Sequence, residues 1–312
     1  MTAQDRILAC FHGLATGDAI GKQTETLSRQ DVSLWYPGGI RGFEGTPGEV
    51  IPRYAGNPRR EWRIGETTDD TERSIAVARA ILQDGDVRHT VVGEELLKCR
   101  KSVHPGVRSL WEFHQAGDPG RIAQGHDGCG AAVRVAPVGV RYSSGKLDQI
   151  VAGAYEASIP THGGRLAISA AAAVAAAVSA AIDGLDAEDV GALAAGAAGN
   201  GPIAQAILSI LDQLGEQASP KPDQIAAAWF PNTPLTIVPL AIALATQLRS
   251  AEGAILLAAN VGGDADSVAS IAGAIAGAMN PDTVNPEWRR VVEEVNGHDL
   301  SRIAEDLGKL RD

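Results

Sequence analysis

Residues 260–278 read NVGGDADSVASIAGAIAGA. The stretch opens at the end of one Ala-rich run, over 251–260, turns at Gly262-Gly263, and continues as a second Ala-rich run over 266–278. Both runs have the spacing of helices, and their side chains are so small that the helices can only be buried by close backbone packing. Gly273 and Gly277 form a small-xxx-small pair, which lets two helices approach closely. Between the runs sit Asp264, Asp266 and Ser267, two carboxylates and a hydroxyl within four residues.

That acidic turn has two readings. Asp264 could cap the helix that follows. Capping, however, needs only one short polar residue. An Asp-Ala-Asp-Ser set between apolar helices is costly unless a cation neutralises it, because closely placed buried carboxylates repel. Upstream, Thr67-Thr68-Asp69-Asp70-Thr71-Glu72 repeats the chemistry. Asp69 and Glu72 have capping-box spacing, and acids suit a first helical turn, so a helix start explains this cluster when it is taken alone. The competing reading points the oxygens of Thr68, Asp69 and Asp70 into a metal site. Two such clusters of oxygen donors suit two hard divalent cations, Mg²⁺ or Mn²⁺.

The rest of the chain fits an all-α expectation. Hydrophobic residues make up 45% of the 312 and aromatic residues only 4%, so the core must be built from Ala, Gly and aliphatic side chains. Helical spacing covers about 4–16, 69–83, 90–101, 106–116, 147–157, 165–182, 187–199, 202–215, 222–229, 234–249 and 287–294, besides the two runs above. The nearest candidate for a strand is 133–140, which Pro137 interrupts. Residues 35–66 are rich in Gly, Pro and Arg without helical period, which predicts a long loop directly before the first acidic cluster, a lid or substrate-shaping segment. With no fixed-period repeat and no linker, one domain over 1–312 is expected.

Composition also excludes partners. A net charge of −11 and a pI near 5.1 leave no basic stripe for nucleic acid or an anionic membrane. Cys10, Cys99 and Cys129 are odd in number and widely spaced, forming neither a disulfide framework nor a CxxC metal motif. The N-terminal stretch lacks a basic n-region, and the span 166–182 is too rich in Ala for a membrane helix, so a cytoplasmic protein is expected.

Three weaker elements complete the pattern. GLATGDAIGKQTE at 13–25 has small residues at 13, 17 and 21, thinning one helix face, and ends in Glu25. Gly125-His126-Asp127-Gly128-Cys129-Gly130 is a turn able to offer backbone N–H groups to a phosphate. His162 stands in Pro160-Thr161-His162-Gly163-Gly164, before the Ala-rich run. Alone, each has a bland explanation as a turn or a structural histidine.

In combination and order these elements resemble the ADP-ribosylglycohydrolase family, which includes dinitrogenase-reductase-activating glycohydrolases and ADP-ribosyl-acceptor hydrolases. The resemblance runs from about residue 6 to about 280. It implies an all-α orthogonal helical bundle around a binuclear Mg²⁺ or Mn²⁺ cleft. By resemblance the metal ligands are Thr68, Asp69, Asp70, Asp264, Asp266 and Ser267. Glu25, seven residues after Asp18, matches a glutamate that in some members ligates a metal and positions the attacking water, and Glu25 and Asp264 are the candidate catalytic residues. Gly128, Cys129, Gly130 and His162 match the substrate pocket. Cys129 departs from the Asn common between those glycines, and the His126-Asp127 pair also departs. The implied reaction is hydrolysis of the bond between ADP-ribose and an acceptor, with an arginine-linked ADP-ribosylated protein favoured. The alternatives are hydrolysis of a smaller nucleoside-like riboside, and a non-catalytic crystallin-like or ADP-ribose-binding relative.

Overall fold

The computed structural model describes residues 1–215 and 220–312. Among them the chain forms sixteen α-helices. In order these are α1 (Ala3–Gly21), α2 (Arg29–Trp35), α3 (Asp69–Asp84), α4 (His89–Leu96), α5 (Arg108–Ala116), α6 (Ala136–Arg141), α7 (Leu147–Ser158) and α8 (Arg165–Ile182). There follow α9 (Ala187–Ala197), α10 (Pro202–Gly215), α11 (Pro222–Trp229), α12 (Pro234–Leu248), α13 (Ala251–Val261), α14 (Ala265–Met279), α15 (Pro286–Asn296) and α16 (Leu300–Gly308). Among the described residues the one extended pairing is an isolated antiparallel bridge between Val50 and Arg63. The interrupted 133–140 stretch is helical: a 3₁₀ turn over Cys129–Arg134 runs into α6, with Pro137 in its first turn, where the missing N–H is harmless.

The centre of the molecule is α8 with α14. By length and composition α8 could cross a membrane, but 78% of it is buried inside the fold, the mark of a core helix. The most extensive helix pair is α1 against α14. A Cβ on Gly13 would stand 2.0 Å from the Gly273 carbonyl oxygen, on Gly17 2.1 Å from that of Ala269, and on Gly21 2.5 Å from that of Ala265. Rising numbers on one helix meet falling numbers on the other, so the pair is antiparallel with a four-residue register. This brings Asp18 and the segment leading to Glu25 alongside the N-terminus of α14, where Asp264, Asp266 and Ser267 lie.

Residues 36–67 are irregular apart from a 3₁₀ turn at Pro52–Tyr54, as their composition predicts. The segment has a small core of its own, Ile51, Tyr54, Trp62 and Ile64. Besides α6, which lies in the stretch that read as the nearest strand candidate, two helices were not anticipated, α2 and α16. The first is seven residues long. The second buries Leu300, Ala304 and Leu307, a helical spacing that was present in the sequence.

Candidate active site

A cavity of about 800 Å³ opens where the N-termini of α3 and α14 meet. Glu25, Asp69, Asp70, Asp264, Asp266 and Ser267 all line it. Gly128, Cys129, Gly130 and His162 line it as well, so the predicted substrate-binding set and the predicted acidic set share one chamber.

The turn that carries Asp264 is held from both sides. Gly262 and Gly263 have φ of +84° and +70°, the left-handed region that glycine enters without strain. The Gly263 N–H donates to the Leu27 carbonyl at 2.8 Å, and the Asp264 N–H to that of Pro231 at 2.8 Å. A Cβ on Gly263 would lie 2.3 Å from the Pro231 oxygen. Asp264 occupies the N-cap position of α14 but makes no side-chain capping bond. Its Oδ2 instead accepts from the Cys129 thiol at 3.2 Å. The capping explanation therefore fails for Asp264.

Capping holds for Thr68. Its hydroxyl accepts from the Asp70 N–H at 3.1 Å at the start of α3. Thr68 is buried beside the cavity and does not line it. Asp70 does face the chamber, with Oδ2 accepting from Ser267 Oγ at 3.0 Å. This bond joins the two acidic clusters across 197 residues of sequence. Asp69 accepts from Ser102 Oγ at 2.6 Å and pairs with Arg73. Asp266 Oδ1 accepts its neighbour's N–H at 3.1 Å, and Oδ2 stands 3.8 Å from Lys22 Nζ.

Sequence reasoning gave Asp18 little weight, yet it anchors the arrangement. Fully buried in α1, its Oδ2 accepts from the Thr68 N–H at 2.9 Å, the Thr71 N–H at 3.1 Å and the Thr71 hydroxyl at 2.5 Å. These bonds satisfy donors at the start of α3 and fix it to α1. Asp18 Oδ1 has no partner among the described residues. The signal was the Gly17-Asp18 pair on the thin face of α1. Lys22, Arg73 and Arg134 were given no role either, because a single basic residue ordinarily reads as a solvated side chain.

Arg134 is fully buried and has no carboxylate partner among the described residues. It donates to the carbonyls of Ala157 and Ser158 at the C-terminal end of α7, to Thr161 Oγ1 at 2.8 Å, and to the Gly130 carbonyl at 3.1 Å. Burial, with Arg73 nearby, brings its pKa down to about 9. One guanidinium thus ties the glycine-rich loop to the negative end of a helix. A Cβ on Gly130 would lie 2.9 Å from both Arg73 Nη1 and His162 Cε1, so any larger residue there would have to push these side chains aside.

His162 is buried, with Nδ1 2.7 Å from Thr161 Oγ1 and Nε2 3.3 Å from Ser109 Oγ. Burial first, then the charges of Arg134 and Arg73, hold its pKa well below the usual imidazole value. The ring is neutral in the folded protein and protonates in the unfolded chain near pH 6.5. Its contribution to stability is therefore complete above pH 6.5 and declines as the pH falls. The stability lost on replacing His162 by Gln should accordingly shrink as the pH falls from about 7.5 to about 5, measured by urea unfolding at each pH. A constant difference would show that the ring is not held neutral. Cys129 is likewise uncharged: burial, then Asp264 and Asp70, raise its pKa well above the usual thiol value. It serves as a donor to Asp264 and not as a thiolate nucleophile.

The donor chemistry suits a hard divalent cation. Burial raises the pKa of Asp70 well above the carboxylate range, with Asp18 and Asp264 adding to it. Burial does the same to Asp266, with Glu25, Asp264 and Asp70 adding. Carboxylates crowded in this way, with the Ser267 hydroxyl among them, are stabilised by a bound cation. Still, no three acidic, imidazole or thiol side chains among the described residues converge into a finished cage. Glu25 and Asp266 stand toward Lys22, and Asp69 and Asp70 toward Arg73, while Asp264 accepts from the Cys129 thiol.

A family profile described as ADP-ribosylglycohydrolase matches residues 1–312. The chain is 28% identical to the uncharacterized protein YegU of Escherichia coli (strain K12), over 98% of this chain and 97% of the relative. It is 26% identical to the ADP-ribosylarginine hydrolase Tri1 of Pseudomonas putida (strain GB-1), over 98% of this chain and 78% of the relative. It is 27% identical to the ADP-ribosyl-[dinitrogen reductase] glycohydrolase of Rhodospirillum rubrum over 44% of each chain. A solved structure called an ADP-ribosylglycohydrolase-related protein complex superposes with a TM-score of 0.71 at 24% identity, over 99% of this chain and 98% of that one, which is a likeness of fold.

Proposed function

The chain belongs to the ADP-ribosylglycohydrolase family, and from that premise we propose that it hydrolyses the bond between C1″ of ADP-ribose and an acceptor, with an arginine-linked ADP-ribosylated protein as the favoured substrate and Mg²⁺ or Mn²⁺ required. The observation that carries the reading is the single chamber in which Glu25, Asp70, Asp264 and Asp266 face the Gly128–Gly130 loop. Its volume, about 800 Å³, lies in the range of cofactor-sized ligand sites. Relatives along most of the chain are named ADP-ribosylarginine hydrolases.

Asp70, Asp264, Asp266 and Ser267 are the residues that would hold the cations, with Asp69 also on the chamber wall and Thr68 buried just outside it. Divalent cations in such a site supply Lewis acidity and lower the pKa of water. The chain's own residues do the rest. Glu25 accepts the proton of the attacking water on a carboxylate that Tyr54 OH reaches at 3.1 Å. Water oxygen bonds to C1″, the bond to the acceptor breaks, and the acceptor leaves with a proton. The sugar passes through an oxocarbenium-like transition state, whose positive charge the surrounding carboxylates stabilise. Gly128 and Gly130 let backbone N–H groups approach the diphosphate, and neutral His162 braces them.

The test is release of ADP-ribose from arginine-linked and serine-linked ADP-ribosyl peptides, with simple ribosides alongside, in Mg²⁺ or Mn²⁺ and after chelation. Release from the arginine linkage that stops on chelation is expected. Activity confined to ribosides would displace ADP-ribose as the substrate. Glu25→Gln separates catalysis from binding. It keeps the side chain's shape and removes the base, so kcat should fall about a hundredfold or more while cation affinity changes far less. Unchanged turnover would remove Glu25 from proton transfer.

A further inference from the structure

Two basic side chains are buried in the acidic chamber, and no step above uses them. Lys22 is 5% exposed. Its ammonium pairs with Glu25, stands 3.8 Å from Asp266 Oδ2, and lies 4.4 Å from the centroid of the Trp62 ring. Arg73 is 4% exposed. Its guanidinium pairs with Asp69, lies 3.7 Å from Asp70 Oδ1, and donates from Nε to the Asp69 carbonyl at 3.1 Å. Each acidic cluster therefore has one buried protein cation set against it. Both are long side chains on flexible stems, able to withdraw by rotamer change without moving the helices.

We propose that Lys22 and Arg73 are resident counter-ions of the metal-free site: each neutralises a pair of carboxylates until a divalent cation displaces it. The inference rests on the cation dependence proposed above. It makes cation affinity a competition, because a divalent ion must first part Lys22 from Glu25 and Asp266, and Arg73 from Asp69 and Asp70. A unit charge a few ångströms from a site weighs heavily at the effective dielectric of a protein interior. Deleting either one should therefore tighten cation binding by at least about tenfold, a figure that allows for partial withdrawal and solvent screening.

The experiment is isothermal titration of the chelator-treated full chain with Mn²⁺, for the wild type, Lys22→Gln and Arg73→Gln, with Lys22→Met as a second variant should Lys22→Gln fold poorly. Tighter Mn²⁺ binding is expected in each, together with a lower melting temperature of the metal-free protein and a larger rise on adding Mn²⁺. A purely structural role would loosen the site and weaken binding, so unchanged or weaker affinity overturns the inference for that residue. A second readout follows the Trp62 ring, on which both Lys22 and Arg60 lie, so a shift is assigned to Lys22 only where Lys22→Gln lacks it as well. Mg²⁺ should shift tryptophan emission in the wild type, and the shift should vanish in Trp62→Phe, since Lys22 leaves the Trp62 ring. Emission in which Trp62 takes no part would overturn displacement. A wild type that binds no Mn²⁺ overturns both this inference and the cation dependence; a wild type that binds Mn²⁺ with no gain in the variants overturns the inference alone.

Discussion

Asp264→Asn should fold as the wild type does and lose turnover by about a thousandfold, with loss of bound divalent cation. The expectation of normal folding comes from the geometry. Asp264 sits at an N-cap without capping, and the backbone bonds that hold its turn come from Gly263 and Asp264 N–H groups, which the substitution leaves in place. Asn Oδ1 can still accept from the Cys129 thiol. Relief of like-charge repulsion with Asp70 and Asp266 offsets what is lost, so stability should stay within about 0.5 kcal/mol. Loss of catalysis comes from charge. In the proposed reaction Asp264 helps hold a cation and faces a developing oxocarbenium ion, so it contributes mainly in the transition state, and removing such a group costs about 3–4 kcal/mol. Metal content by elemental analysis and kcat on ADP-ribosyl-arginine check the two halves. Full turnover with full metal content would take Asp264 out of the site.

Gly17→Val should cost about 3 kcal/mol of stability or more, with activity falling alongside. The new Cβ would stand 2.1 Å from the Ala269 oxygen, 2.5 Å from the Ala269 carbon and 2.9 Å from the Ser270 nitrogen. All three are backbone atoms, so no rotamer change can relieve the clash and the helices must part. Overpacking of this kind usually costs 1–3 kcal/mol where side chains give way, and here none can. Parting α1 from α14 also separates Asp18 from the position at which it holds α3, and Glu25 from Asp266. Denaturant unfolding and kcat measure the two effects. Gly196→Ala is the control: it lies in α9 with nothing within 4 Å of the added methyl. It should raise stability by about 0.5–1 kcal/mol through helix propensity alone. Equal effects in the two variants would mean that the α1–α14 contact is looser than its geometry.

Several elements were legible in the sequence because their causes are local. Apolar spacing gave α1, α3, α8, α13 and α14, and the Gly-Pro-Arg content of 35–66 gave the irregular segment. The acidic sets at 68–70 and 264–267 stood out because carboxylates at that density are costly anywhere they are buried. Other features were hidden by ambiguity. Thr68 and Asp264 occupy the same formal position ahead of a helix, and only the hydrogen bonds show that the first caps and the second does not. Lys22 and Arg73 look like ordinary helix-surface cations until burial is known.

By itself the sequence determined an all-α chain of small-residue helices with two clusters of hard oxygen donors, because helical period, backbone turn chemistry and charge density are properties of neighbouring residues. What only the tertiary structure decided is which of those groups meet. The Gly13, Gly17 and Gly21 face sets the register of α1 on α14, and that register makes Asp18 an anchor for α3. The Ser267–Asp70 bond then joins clusters 197 residues apart, and Lys22 and Arg73 come to stand against the carboxylates. Contacts of that separation depend on how closely two backbones can approach, a quantity fixed by packing of the whole core and carried by no single stretch of sequence.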